Sequence, residues 1–469
     1  MTSQGIGESA EPTIGILPLA RATFDVAFAK EKFAAVLDSL HQAPAIIVGS
    51  ESLLFDGAAA QEAIADLKSA GIDRLLILQI TFTDAAITVE AAKSLGVPVA
   101  VWAVPEPRLG ERLRLNAFCG LNLASHALGL NDIPFSWAYG DAGDIDLDGL
   151  LSGERTVQPR FGAAAPLSSD PAADATVEKL RGKRIARLGA HPEGFDTCRY
   201  DAKALEALSG VAVDAKEIDD LFTAAKALPV GAEHSLREEL DGTVAGFTNV
   251  DADELSRSLR LKLALDGLRA SGQYDAFAIR CWPETFTEYG GAVCGPVSLL
   301  GGARVPCACE ADVYGAVTQL ILQDVAQAPV FLTDMVDVDT NDDTVVVWHC
   351  GQAPLEMAAD PKAIDATLHT NRKMPLLMEF PLKPGRITMM RLSQAHGRTQ
   401  MIVSTGQALD RPMAFTGTSG VVRFDNGAQA WMEGVFASGL EHHMALAYGD
   451  HRDALVRVAA ALDIPVLDL

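Results

Sequence analysis

The chain is short of aromatic residues, of positive charge and of long apolar runs. Aromatics are 6% of the 469 residues although hydrophobic residues reach 49%, so a core has to be filled by Ala, Val, Leu and Ile, as in many α/β proteins. Lys and Arg number 38 against 62 Asp and Glu, a formal net charge of −24. That balance removes the attraction on which nucleic-acid and anionic-membrane binding rest, and neither is expected as a partner. No run of about 18 uninterrupted apolar residues occurs. The opening MTSQGIGESAEPTIGILPLA lacks a basic segment followed by a long apolar one, so a cytoplasmic protein is expected. The 7 cysteines, Cys119, Cys198, Cys281, Cys294, Cys307, Cys309 and Cys350, are an odd set with several members inside apolar runs. They fit reduced thiols rather than a disulfide framework. Cys307 and Cys309 have no second Cys/His pair at zinc-site spacing, and alternate residues of one strand share a buried face.

What is present falls into three zones. Apolar runs of strand length at 45–50, 74–80 and 97–104 alternate with helical patterns at 59–70, through Ala92, and in LRLNAFCGLNLASHALG. Such alternation predicts a parallel sheet covered on both faces. The loop-rich PRFGAAAPLSSDPAADA reads as a linker. The pattern restarts with KRIARLGA (183–190), a weak strand at GVAVDAKEI, a long helix over 251–271 and the strand DAFAIRCW (275–282). From TVVVWHC onward, GRITMMRLS, RTQMIVSTG and GVVRFDN alternate apolar and polar residues between turn formers, the signature of antiparallel strands. A helix and a short strand close the chain and are expected to pack back on the α/β body. The expected architecture is two Rossmann-like, doubly wound α/β domains, 1–170 and 171–335, followed by a mostly antiparallel, barrel-like β domain over 336–469.

The segment 304–334, RVPCACEADVYGAVTQLILQDVAQAPVFLTD, reads as strand, helix, strand. If the two strands are parallel neighbours, Glu310 and Asp334 emerge side by side at their carboxyl ends, where open α/β sheets bind ligands. Adjacent strands lie ~5 Å apart, a separation at which two carboxylates can share a cation. In GLEHHMALAYGD, His442 and His443 are adjacent and point in different directions, so one of them is expected to face the carboxylates. Two carboxylates and an imidazole suit Mn²⁺ or another divalent ion such as Mg²⁺ or Co²⁺, with positions left for substrate.

CWPE (281–284), ACEADVYGA (308–316), the LTD ending at Asp334, WHCGQAP (348–354) and the terminal EHHMALAYG together resemble the L-fucose isomerase and L-arabinose isomerase superfamily, the fucose isomerase-like branch above all. The resemblance covers essentially the whole chain. It implies a metal-dependent aldose–ketose isomerase acting on a small-molecule sugar, by an enediolate route or by a hydride shift, which needs the same metal. Glu310 and Asp334, an acid 24 positions later, would be both metal ligands and the acid/base pair, with His443 as third ligand. His349 stands where arabinose isomerases carry a further histidine, and is a fourth ligand or a substrate contact. Substrate contacts are also expected from His442, Trp282 and Glu284. The resemblance implies a homotrimer or homohexamer with the active site at a subunit interface, to which His126 and Asn122, four apart on one helix face, contribute from a neighbouring subunit. Arg21 and the Gly-rich FTGTSG (415–420) are further pocket candidates.

The chemistry that such residues serve is the removal of a poorly acidic C2 hydrogen and its return at C1. An isomerase or epimerase for a modified sugar, sulfonated or deoxy, fits the same scaffold; a sulfonate would call for added donors, for which Arg280, Arg187 and Arg21 are available. A sugar-binding protein without catalysis would share the twin α/β lobes but has no use for paired acids at strand ends.

Overall fold

Several strands that read as continuous apolar runs are buried along nearly their whole length, whereas the edge strand Ile46–Gly49 is apolar but largely uncovered. β1 (Thr13–Leu19), β2 (Ile46–Gly49), β3 (Arg74–Gln79), β4 (Val99–Ala103) and β5 (Phe135–Tyr139) form a parallel sheet in the order β2-β1-β3-β4-β5. β4 is buried at all five positions. The intervening helices are set by their ends: Asp25 and Asp56 accept the N–H of Phe28 and Ala59, and Gly71 and Gly96 close the helices Gly57–Ala70 and Ala86–Leu95 in the left-handed conformation that glycine adopts without strain. The computed structural model describes residues 11–165 and 170–469. The first ten residues of the opening segment and residues 166–169 of the linker lie outside them. The far end of that linker is not loop: Pro171–Leu180 is a helix capped by Asp170.

The described residues group into two units, one from the chain up to Pro105 with Arg114–Gln158, the other from Glu106–Leu113 with Pro159–Leu469. The five-stranded sheet belongs to the first. In the second, β6 (Arg184–Leu188), β7 (Ala212–Lys216), β8 (Ala276–Ile279) and β9 (Cys307–Ala308) form a parallel sheet ordered β7-β6-β8-β9.

The rest of this unit is a nine-stranded sheet. Its strands are β10 (Phe331–Asp339), β11 (Thr344–His349), β12 (Asp365–Thr367), β13 (Leu377–Pro381), β14 (Gly385–Ser393), β15 (Gln400–Ala408), β16 (Thr418–Phe424), β17 (His443–Tyr448) and β18 (Val466–Asp468). The order is β12-β13-β16-β11-β10-β17-β14-β15-β18, and an additional β15–β16 pairing links six of these strands into a cycle. All pairs are antiparallel except β13–β16 and β15–β18.

One expectation fails here. β9 and β10 are not parallel neighbours: β9 is the edge of the four-stranded sheet, whereas β10 lies inside the nine-stranded one between β11 and β17. Asp334 is therefore a mid-strand residue of the antiparallel sheet, not the end of a central α/β strand. The helix Val313–Ala326 is buried between the two sheets. Its Val313, Val317 and Ile321 share a core with Ile185, Ala276 and Ala308 on one side and Met390, Leu392, Ala445 and Ala447 on the other. Leu455 and Val458 of the closing helix join that core. Each such side chain, fully buried, contributes about 1.5–3 kcal/mol, so this helix fixes where the end of β9 meets the antiparallel sheet.

Candidate active site where two sheets meet

Strand register brings the first two groups together. Asp334 on β10 is paired directly with His443 on β17 and with Trp348 on β11, and directly opposed residues of antiparallel strands project on one face, their Cβ atoms about 5 Å apart. Asp334 Oδ1 lies 3.3 Å from His443 Nε2. That oxygen is buried without a hydrogen bond.

Glu310 arrives from the other sheet. It sits in the turn Cys309–Ala311 just past β9, with φ 57°. Glu310 and Ala311, both non-glycine residues, are left-handed in succession, a strained local conformation that the surrounding packing has to sustain. Glu310 Oε1 accepts from Trp282 Nε1 at 3.0 Å and Oε2 lies 2.9 Å from His442 Nε2 and 3.9 Å from His443 Nε2. Burial pushes the Glu310 carboxyl up, but the His442 hydrogen bond and charge, the His443 charge and the Trp282 hydrogen bond outweigh it and bring it down to about 2. For His442 burial acts downward, and the Glu310 hydrogen bond and neighbouring carboxylates lift the imidazole above its usual value.

The two histidines are told apart by their partners. His443 Nδ1 lies 3.0 Å from Asp312 Oδ2, and Asp312 is itself bound by both terminal nitrogens of Arg391 at 2.5 and 3.0 Å. Since the carboxylate accepts, His443 Nδ1 is the donor of that hydrogen bond, and Nε2 is the ring nitrogen that faces Asp334 and Glu310. His442 instead spends Nε2 on Glu310, and its Nδ1 is buried without a hydrogen bond. His443 is thus the residue of the pair suited to hold an ion, and His442 orients Glu310.

His349 closes the other side. Its ring stacks on that of His443, centroids 5.5 Å apart, and its Nδ1 accepts the N–H of Cys350 at 2.8 Å. A neutral ring then carries its proton on Nε2, which is buried without a partner. Asp334, His349 and His443 offer ligand atoms within 4.8 Å of one another, and so do Cys198, Glu310, His442 and His443. His443 belongs to both groups. Glu310 and Asp334 fall in different groups, and what joins them is His443 Nε2, which Glu310 Oε2 approaches to 3.9 Å and Asp334 Oδ1 to 3.3 Å; carboxylate oxygens and imidazole nitrogens are donor types that a divalent ion takes.

Other expected residues are placed less centrally. Trp282 packs on Phe195, which also packs on His442. Glu284 is held by Arg280 at 2.7 Å and does not join the cluster. Asn122, His126 and Arg21 belong to the first unit. Asn122 and His126 are buried on the helix Ala117–Leu130, and Arg21 pairs with Asp84 at 2.5 Å. In FTGTSG, Gly417 has φ 115° and lies against the carbonyl of His349, where a Cβ would stand 2.9 Å away; this glycine serves close backbone approach.

Sequence reasoning missed Asp312, Arg391 and Cys198. Two signals were available: Asp312 opens an apolar helical run as its N-cap, and Arg391 is a single cation in the otherwise apolar ITMMRLS.

Comparison with known proteins shows the family. Residues 15–144 match the family model described as "Fucose/sulfoquinovose isomerase, N-terminal domain", and residues 347–469 the one described as "L-fucose isomerase, C-terminal domain". The sulfoquinovose isomerase of Alkalicoccus urumqiensis is 30% identical over 85% of this chain and 86% of its own length. The chain belongs to the fucose/sulfoquinovose isomerase family. Further members similar to it are the sulfoquinovose isomerases of Priestia aryabhattai, 28% identical over 96% of this chain and 98% of that protein, and of Clostridium sp. (strain MSTE9), 30% identical over 83% and 85%. As a member of this family the protein is an aldose–ketose isomerase, and the cluster around His443 is its candidate active site.

Proposed function

We propose that this isomerase interconverts a 6-sulfonated aldose, sulfoquinovose or a close analogue, with its ketose, using a divalent ion, Mn²⁺ for preference, held by Glu310, Asp334 and His443. The observation that carries the substrate is the near full-length likeness to several sulfoquinovose isomerases. Bound there, such an ion supplies Lewis acidity that makes the C2 hydrogen removable. The chain's own groups do the rest. Glu310 and Asp334 take the proton from C2 and return it at C1, Glu310 being kept ionised by His442 and Trp282. His349, whose Nε2 makes no hydrogen bond of ordinary geometry although the Cys309 thiol lies near the ring, donates to a sugar oxygen. Phe195 and Trp282 wall the site against water, which strengthens each of these interactions.

The sulfonate needs a cation with donors to spare. Of the three arginines considered from sequence, Arg280 is committed to Glu284 and two carbonyls and Arg21 to Asp84. Arg187, near the end of β6, keeps a buried Nε without a partner and is the proposed anion holder. Assembly as a trimer or hexamer, with His126 and Asn122 completing a neighbour's site, belongs to the same proposal and is supported by family membership alone. The barrel reading of the cycle of β pairings, which rests on the β15–β16 closure, and a cytoplasmic location belong to it too; among the described residues no helix is long and apolar enough to cross a membrane.

The second reading, an unsulfonated deoxy-aldose, is favoured by the C-terminal match, described by the L-fucose enzyme. Ketose formation from sulfoquinovose, L-fucose and D-glucose by metal-stripped protein with and without added Mn²⁺ separates the two. We expect Mn²⁺-dependent conversion of the sulfonated sugar, and an Arg187→Met variant with KM for it raised about tenfold. Equal or better kcat/KM on the unsulfonated sugars overturns the substrate; full activity without metal overturns the ion.

A further inference from the structure

We infer that Asp312, clamped by Arg391, is a positioning residue that holds His443 in the tautomer and orientation in which Nε2 can bind the divalent ion. The inference rests on the metal reading above and adds to it residues outside the ligand set.

Every acceptor direction of Asp312 is used. Oδ1 accepts the Gly315 N–H at 2.8 Å and an Arg391 nitrogen at 3.0 Å; Oδ2 accepts the other Arg391 nitrogen at 2.5 Å and His443 Nδ1 at 3.0 Å. The bond to Gly315 ties the carboxylate to the start of the helix Val313–Ala326, the rigid element packed between the sheets. The bidentate guanidinium fixes the carboxylate plane, leaving one lone pair of Oδ2 for the imidazole. Arg391 is set by β14, which pairs with β17, the strand that carries His443. Its remaining contacts are the Thr197 carbonyl at 3.2 Å and Glu441 at 3.9 Å. Asp312, Arg391 and His443 side chains are each 1% exposed, so no solvent substitutes for a lost partner. Carboxylates that accept from the distal nitrogen of a ligating histidine fix its tautomer and raise its basicity, and their loss typically costs 10–100-fold in metal affinity.

Asp312→Asn keeps the shape, removes the charge and replaces one of the two accepting oxygens with an NH2 donor. Mn²⁺ titration of metal-stripped protein by calorimetry should show Kd raised 10–100-fold, with Arg391→Lys, which retains carboxylate and cation, falling between. A purely structural Asp312 predicts lowered Tm with unchanged Kd, and that result overturns the inference. Nitrogen-15 NMR of histidine-labelled, metal-free wild type tests the tautomer without any ion or activity. Nδ1-protonated His443 is expected; an Nε2-protonated ring overturns the inference, including in the event that Asp312→Asn does not fold. Wild type that binds no Mn²⁺ while His443 is Nδ1-protonated overturns the metal reading and leaves the tautomer role standing.

Discussion

The chain contains two parallel sheets whose carboxyl ends carry different chemistry. At the end of β3 in the first, Gln79 donates to the Thr81 carbonyl at 2.7 Å and to Thr83 Oγ1 at 2.8 Å, and past β1 the Arg21 N–H donates to Thr81 Oγ1 at 2.8 Å. These polar groups satisfy one another. At the end of β9 in the second, Glu310 emerges against β10 and β17, and several buried polar atoms there have no hydrogen bond: Asp334 Oδ1, His349 Nε2 and His442 Nδ1. Buried polar atoms without partners are costly, and the grouping of a carboxylate oxygen and two imidazole nitrogens of this kind beside Glu310 marks a place where a ligand can supply what the protein does not. Parallel strands offer a place for chemistry, and in the second unit an antiparallel sheet packed beside them fills it with imidazoles.

The comparison can be broken most severely at Glu310. Glu310→Gln should stay folded but lose turnover by about 10²–10⁴-fold, the usual weight of a general acid or base, and bind Mn²⁺ more weakly. Steady-state rates at wild-type level would remove this carboxylate from the mechanism and with it the contrast between the sheets. Next in size, Arg391→Met leaves Asp312 and Glu441 buried without their cation and should cost about 3–5 kcal/mol in urea unfolding. The matching change at the first sheet, Gln79→Ala, should cost only about 1–3 kcal/mol and leave Mn²⁺ affinity untouched. A shift in that affinity would show that the first sheet end is not a closed structural network.

The smallest effect concerns pH. Burial, then the charges of Arg372, His349 and Lys373, lower His369 from 6.5 to about 3; its Nδ1 accepts the N–H of Asn371 and Arg372. The neutral ring is thus favoured by folding, so its contribution to stability is complete above about pH 6.5 and is lost as the pH falls from there toward 3. His369→Gln should flatten the stability profile within that window in denaturant titrations. An unchanged slope would show the ring to be as easily protonated folded as unfolded.

Much of the α/β organisation was legible because strands buried on both faces read as unbroken apolar runs, as RLLILQ and VAVWA do. Glu310 at the end of a parallel strand was legible for the same reason. Asp334 was not. FLTDMVDVD is one strand of nine residues, yet its polar Thr333 and Asp334 look like a strand end, because polar residues at a buried site interrupt the apolar pattern that marks a strand. Arg391 and Asp312 were hidden by sequence separation, 79 positions apart, although each is odd in its own context.

The sequence by itself determined the periodicities, hence which segments became strands and helices, and it determined the stock of acids and imidazoles from which a site could be built. Tertiary structure alone decided which of them meet. The register that sets Asp334 opposite His443, the helix that presses the end of β9 against β17, and the Asp312 hydrogen bond to His443 all depend on contacts between residues far apart in the chain, and local propensity carries no information about those.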